Sequence, residues 1–201
     1  IVWYAAIFTS TLTFSIALTK KFTSAYLYKI FLLLYVSLIC STLHLYFIHL
    51  QVSFQPTIGI IYRYAELWVL FFLYWTELIG TTKKKIISGL LIISTVTACI
   101  FIIGGAFIRP FNATLFLAFS ILLYWQWIKK IPSEVILKFK LFWINSGIFV
   151  YFSTNLLLFL SENYIRLNYY NEFAYIWSLS NFSAIAKNIF FAYAFILVRQ
   201  S

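Results

Sequence analysis

The sequence predicts an all-α membrane protein in which a single transmembrane domain, residues 1–201, forms a seven-transmembrane-helix bundle. Charge-poor apolar segments of about 20 residues recur along the chain, and this is the length that a helix needs to cross about 30 Å of hydrocarbon. Of the 201 residues, 63% are hydrophobic and only 10% are charged, which is too few charges for the surface of a water-soluble globule. The connections between the apolar segments are short, which favours antiparallel neighbours in one bundle.

Each predicted helix is an apolar segment between two breaks. We place the helices at 1–19, 26–50, 57–80, 86–108, 111–128, 138–161 and 172–198. The breaks are marked by basic residues and proline: Lys20-Lys21, Pro56, Lys83-Lys84-Lys85, Arg109-Pro110 and Lys129-Lys130-Ile131-Pro132.

Lysine and arginine are divided unevenly between the two sides of the predicted bundle. The odd-numbered connections and the C-terminus hold Lys20, Lys21, Lys29, Lys83, Lys84, Lys85, Lys129, Lys130, Lys138, Lys140 and Arg199. The even-numbered connections hold only Arg109 and Arg166. Because basic residues of short loops stay in the cytoplasm, we expect the N-terminus outside and the C-terminus inside.

The net charge of +10 therefore reports membrane orientation and not a nucleic-acid surface. Its basic residues fall in short loops and form no amphipathic face. The expected partners are the lipid bilayer, with anionic lipid at the basic cytoplasmic face, and another membrane protein, but no nucleic acid.

Cysteine and histidine supply no metal site or disulfide framework in this sequence. Cys40 and Cys99 each lie inside an apolar segment, where a free cysteine behaves as a small buried hydrophobe. No aspartate or glutamate lies at ligand spacing from His44 or His49, so no metal is expected.

Ionisable residues inside the apolar segments are the candidate functional residues, because each costs at least a few kcal/mol in hydrocarbon unless it faces a partner or a cavity. Arg63, Glu66 and Glu77 lie along one stripe of the third helix, and Lys187 lies in the seventh. Counted at about 1.5 Å per residue, Glu66 and Lys187 reach a similar depth near mid-membrane. We expect them to pair, either as a structural ion pair or as part of a site.

Asparagines on the last two helices extend this predicted intramembrane polar network. They are Asn145, Asn155, Asn181 and Asn188. Amides at such positions commonly form hydrogen bonds between helices, so we interpret them as interhelical contacts.

No catalytic motif is recognisable. The sequence lacks G-x-S-x-G, H-E-x-x-H, a P-loop and C-x-x-C, and no serine or threonine stands beside an obvious base. The expectation is a protein that is not an enzyme and has no catalytic residues.

The run Arg63-Tyr64-Ala65-Glu66, with Glu77 eleven residues later and Ala186-Lys187 in the seventh helix, resembles the microbial rhodopsins. That family has seven helices and carries retinal on a lysine of the seventh. The resemblance implies Lys187 as the Schiff-base lysine, Glu66 as its counterion and Glu77 as a proton donor. The chain departs from the family at Ser183, where an aspartate would stand.

A second resemblance covers more of the chain. The segments Phe142–Asn155 and Ile185–Ile189, together with the tyrosine-rich third helix around Glu66, are similar to an uncharacterised family of multi-pass membrane proteins from Gram-negative bacteria. This resemblance implies a bacterial cytoplasmic (inner) membrane location and makes Lys187 an incidental residue of an ordinary helix.

The sequence thus favours a sensor or receptor-like module, or an accessory subunit of a membrane assembly, without catalytic chemistry or a cofactor. The loops are too short for a soluble output domain, so a signal would leave through a partner. One alternative is a retinal-binding photoreceptor or ion pump that uses Lys187 and Glu66. Another is a small proton-coupled transporter in which Glu66 and Glu77 relay protons.

Overall fold

The computed structural model describes residues 2–19, 25–49, 55–78, 89, 108–129, 133–169 and 172–197, and within these ranges the chain is all-helical. The helices are α1 (Val2–Leu18), α2 (Ala25–His49), α3 (Gln55–Glu77), α4 (Ile108–Ile128), α5 (Ser133–Ile136), α6 (Lys140–Asn168) and α7 (Phe173–Ile196). The predicted all-α class is confirmed.

Six of the seven predicted helices correspond to α1, α2, α3, α4, α6 and α7. The remaining one, 86–108, lies almost entirely outside the described residues. The one-turn helix α5, which follows the Lys129–Pro132 break, is not predicted from the sequence.

The predicted break at Arg109-Pro110 was wrong. α4 begins at Ile108, so both residues belong to its first turn. Proline is tolerated there because its missing N–H would have no partner within the helix. The C-terminal end of α6 also differs from the prediction. α6 continues to Asn168, beyond the predicted end at residue 161, because a helix can run past the apolar segment that hydropathy detects.

Four helices in the described part of the chain are long and apolar enough to cross a membrane. The qualifying segments are Tyr26–Leu43, Arg109–Ile128, Lys140–Glu162 and Tyr175–Ile196, and α1 contributes a shorter apolar segment, Tyr4–Leu18. Large apolar side chains such as Phe8, Leu157 and Phe182 are more than half exposed. Such a surface suits contact with lipid.

The long helices form a closed ring. α1 packs between α2 and α7, α6 packs between α4 and α7, and α3 packs against α2 and α4. Gly147 permits a close approach of α6 and α7, since a Cβ there would lie 3.0 Å from the Phe190 Cβ and 3.1 Å from the Lys187 carbonyl oxygen.

α3 and α4 run in the same direction, as three levels of contact demonstrate. Near the start of both helices, Arg63 and Arg109 line one cavity. Further along both helices, the Tyr74 hydroxyl lies 2.7 Å from Ser120 Oγ. Near both ends, Gln126 donates a hydrogen bond to the Glu77 carbonyl oxygen at 3.3 Å. α6 runs antiparallel to α4, since Glu162 near its end pairs with Arg109 near the start of α4.

Candidate functional site

A cavity of about 310 Å³ lies between α3, α4, α6 and α7. It is lined by Tyr62, Arg63, Glu66, Arg109, Asn112, Tyr151, Phe152, Phe159, Trp177 and Ser180. These residues lie toward the end of the ring where α3, α4 and α7 begin and α6 ends, which we call the Arg109 end. The volume far exceeds the roughly 10–15 Å³ that one water needs and reaches the lower range of small-molecule sites, about 300–1,000 Å³.

Glu66, which lines this cavity, forms an ion pair with Lys187. The Lys187 amine lies 3.2 Å from Glu66 Oε1, and the two residues are only 7% and 8% exposed. Tyr62, one helical turn before Glu66, donates a second hydrogen bond to the same oxygen at 3.3 Å. The amine also lies 3.9 Å from the centre of the Tyr151 ring, a favourable cation–π distance. The opposite charges of Glu66 and Lys187 thus lie next to each other and to two tyrosines, Tyr62 and Tyr151, and are largely shielded from solvent.

Arg109 is held in a second ion pair, at the Arg109 end of the cavity. Its guanidinium lies 2.6 Å from Glu162 Oε2, and the two side chains are 23% and 20% exposed. The guanidinium carbon also lies 5.1 Å from the centre of the Trp177 ring. This cation therefore has both a carboxylate partner and an aromatic neighbour.

Arg63 differs from the other two cations. Among the described side chains, no carboxylate oxygen lies within 4.0 Å of its guanidinium, whereas Lys187 and Arg109 each have one. Since Glu66 and Glu162 are each paired with another cation, the described residues of the lining and their ion-pair partners carry an excess of one positive charge. That excess sits on Arg63, a half-buried residue of the cavity wall.

Asn112 contributes an acceptor to the cavity wall. The residue is 8% exposed, and its side-chain oxygen is buried without a hydrogen-bond partner among the described residues. A buried polar atom in this state is costly, by about 1–3 kcal/mol, unless water or a ligand supplies a donor. The arrangement is therefore able to hold a polar molecule through the Arg63 donors and the Asn112 acceptor.

Asn145 belongs to a separate polar cluster nearer the opposite end of the bundle. It accepts a hydrogen bond from the Tyr74 hydroxyl at 2.7 Å and donates one to the Ser120 carbonyl oxygen at 3.2 Å. All three residues are buried. The cluster links α3, α4 and α6, as expected of an interhelical contact.

The other predicted asparagines are distributed differently. Asn155 donates to Ser183 and so joins α6 to α7. Asn188 donates to Thr9 at 3.3 Å, joining α7 to α1. Asn181 is half-buried and is not among the described residues that line the cavity.

Glu77 lies away from the cavity. It ends α3, eleven residues and about three helical turns beyond Glu66. Leu70 and Leu73 are buried between the two carboxylates along this helix. The structure thus brings Arg63, Glu66 and Lys187 together and leaves Glu77 apart.

The sequence does not predict several residues of the cavity lining, namely Arg109, Asn112 and the lining residues of α6 and α7. Because Pro110 follows it, the sequence predicts a loop at Arg109. Had Pro110 been placed in a first helical turn, Asn112 would have followed Arg109 by three residues on one helix face. This spacing of three residues is the feature of the sequence that points to Asn112 as a neighbour of Arg109.

No family model, curated protein or solved structure matches this chain.

Proposed function

We propose that the protein is a receptor-like sensor module of the bacterial cytoplasmic membrane, with seven spans, the N-terminus outside and the C-terminus in the cytoplasm. The cavity between α3, α4, α6 and α7 binds a small molecule from the outer side. The observation that carries this proposal is the cavity itself. Among the described residues, its wall combines a cation that has no carboxylate oxygen within 4.0 Å, Arg63, with a buried acceptor that has no donor, the Asn112 side-chain oxygen.

The seven-span topology is supported by the direction of the helices. Because α3 and α4 are parallel, the chain between residues 78 and 108 has to return to the end where α4 begins. The helix predicted from the sequence at 86–108 has the length for this return crossing. Together with the four described helices of membrane-spanning length and apolarity, and with α1 and α3, it would make seven spans, an odd number that separates the two termini.

The orientation follows from the distribution of lysine and arginine in the sequence. With that orientation the Arg109 end of the bundle is outside, so the cavity faces the outer solution. The basic residues of the other end lie at the cytoplasmic face, where they attract anionic lipid. A bound ligand would alter the packing of α3, α4, α6 and α7, and a membrane partner in contact with these helices would carry the signal.

The retinal alternative has one observation in its favour, the contact between Lys187 and Glu66. The cavity walls disfavour it. Filling this space with an apolar polyene would remove water from Arg63 and Asn112 without replacing their hydrogen bonds, which is costly. The proton-relay alternative would need a polar route between Glu66 and Glu77, and buried leucines lie between them on α3.

Cysteine accessibility tests the proposal. Ser180 lines the cavity, so in a background carrying Cys40→Ser and Cys99→Ser, Ser180→Cys should react with a small membrane-impermeant methanethiosulfonate in right-side-out vesicles. The exposed positions Leu167 and Lys138, as Leu167→Cys and Lys138→Cys, serve as outer and cytoplasmic controls.

In inverted vesicles the Ser180 and Leu167 variants should be protected and the Lys138 variant labelled. Equal labelling of Ser180→Cys from both sides would favour a transporter. Labelling only from the cytoplasmic side would overturn the proposed orientation of the site.

A further inference from the structure

Two polar groups of the cavity wall, the Arg63 guanidinium and the Asn112 side-chain oxygen, are not neutralised or paired by the described residues, and together they are complementary to one class of ligand. Arg63 presents N–H donors and a positive charge that the described carboxylates leave unbalanced. Asn112 presents an oxygen that requires a donor. A molecule that satisfies both carries an oxyanion and an O–H or N–H group.

The other residues of the cavity wall indicate the polarity of the rest of that molecule. Phe152, Phe159 and Trp177 supply apolar aromatic surface, while Arg109 is already paired with Glu162. An apolar or aromatic body therefore fits between these rings, with its charged group toward Arg63. A cationic ligand would be repelled by Arg63. Among the described residues the carboxylate that lines the cavity is that of Glu66, and it already accepts hydrogen bonds from Lys187 and Tyr62.

We infer that the cavity recognises an organic oxyanion, a carboxylate or phosphate group that carries a hydrogen-bond donor and an apolar body, with Arg63 binding the anion and Asn112 accepting from the donor. This inference rests on the proposed function and specifies its ligand. A dissolved acid and the headgroup of an anionic phospholipid share this chemistry.

The first test compares reagents of opposite charge at one thiol. In right-side-out vesicles, Ser180→Cys should react faster with an anionic sulfonatoethyl methanethiosulfonate than with the cationic trimethylammonioethyl reagent. After normalisation to exposed Leu167→Cys, the preference should be about tenfold, because charged clefts raise the local concentration of the opposite charge. Comparing the two reagents at the same cysteine cancels the reactivity of the thiol itself.

Charge variants assign the preference to Arg63. Arg63→Gln should abolish the anion preference, and Arg63→Lys should retain it, which separates a charge effect from a folding defect. Arg166→Gln is the matched control, because Arg166 is an exposed residue near the end of α6 and does not line the cavity. A preference that survives Arg63→Gln, or that favours the cation, would overturn the inference.

A second test uses ligands that share a phenyl ring. Mandelate should slow the modification of Ser180→Cys by an uncharged methanethiosulfonate more than phenylacetate does, and benzylamine should give no protection. Asn112→Leu should remove the advantage of the mandelate hydroxyl. For the lipid source, vesicles containing phosphatidylglycerol should slow the reaction relative to pure phosphatidylcholine vesicles.

The outcomes separate the two proposals. If neither reagent reaches Ser180→Cys from the outer side, the proposed function fails. If both reach it but no acid and no anionic lipid protects it, or if benzylamine protects as well as mandelate, the cavity is accessible but the oxyanion inference is wrong.

Discussion

Replacing Glu66 by glutamine and Lys187 by methionine, singly and together, perturbs the ion pair that joins α3 to α7. The two charged atoms are 3.2 Å apart, and the side chains are only 10% and 8% exposed. At an effective dielectric constant of about 20, charges at that distance attract by about 5 kcal/mol. Desolvation of both groups offsets much of this attraction, so the intact pair contributes little net stability.

Either single replacement leaves one buried charge without its partner, so each should lower the free energy of unfolding by about 3–5 kcal/mol. The double variant leaves no unpaired charge. Its loss should therefore be smaller than that of either single variant and should fall well short of the sum of the single losses, as expected of contacting residues. Reversible unfolding in mixed detergent micelles, titrated with sodium dodecyl sulfate, measures all four proteins of this cycle.

The Arg109–Glu162 pair provides the matched control. Its 2.6 Å separation is shorter, but its side chains are 23% and 20% exposed, so water screens the attraction more and can hydrate a partner that is left alone. The cycle of Arg109→Gln and Glu162→Gln should therefore show weaker coupling than the Glu66–Lys187 cycle. Strictly additive losses for Glu66→Gln and Lys187→Met would refute the reasoning.

Gly147→Ala should lower the free energy of unfolding by about 1–3 kcal/mol, because its Cβ would meet α7 side-chain carbon at 3.0 Å. Gly89→Ala, whose Cβ meets no described atom within 4 Å, should be neutral or slightly stabilising, and equal losses for the two variants would contradict the packing argument. Tyr74→Phe removes a buried hydroxyl with two side-chain partners and should lower the free energy of unfolding by about 1–3 kcal/mol in the same assay. Tyr124→Phe, at a half-buried site, should cost less, and the reverse order would be inconsistent with the buried cluster. Added retinal should produce no visible absorption band, and a band that Lys187→Ala removes would restore the retinal alternative.

The helices could be predicted from the sequence because apolar length alone specifies a membrane-crossing segment. Helix ends were less predictable. Hydropathy could not detect that α6 continues through Arg166 to Asn168, since that extension is polar. Pro110 was read as a break, although a proline in a first turn costs the helix no hydrogen bond.

The contact between Glu66 and Lys187 was predictable from the depth of the two residues in the membrane and from the free-energy cost of an unpaired charge in hydrocarbon. Both residues are expensive in hydrocarbon, and their positions along two helices gave similar depths. The cavity was not predictable in this way, because its lining depends on how α4 and α6 are rotated about their axes. Spacing within one helix does not specify that rotation, so Asn112 and Tyr151 emerge only when the four helices are packed together.

The central claim is a ligand cavity that opens to the outer side of a seven-span bundle, and a density map of the protein in lipid nanodiscs tests it most directly. A bound Fab fragment would serve as a fiducial for a chain of 23.6 kDa. The account predicts seven spans, the Lys187 amine within 4 Å of Glu66, and a cavity beside Arg63 and Asn112 that reaches the outer water. A cavity filled by protein side chains, or one that opens to the cytoplasm, would contradict it.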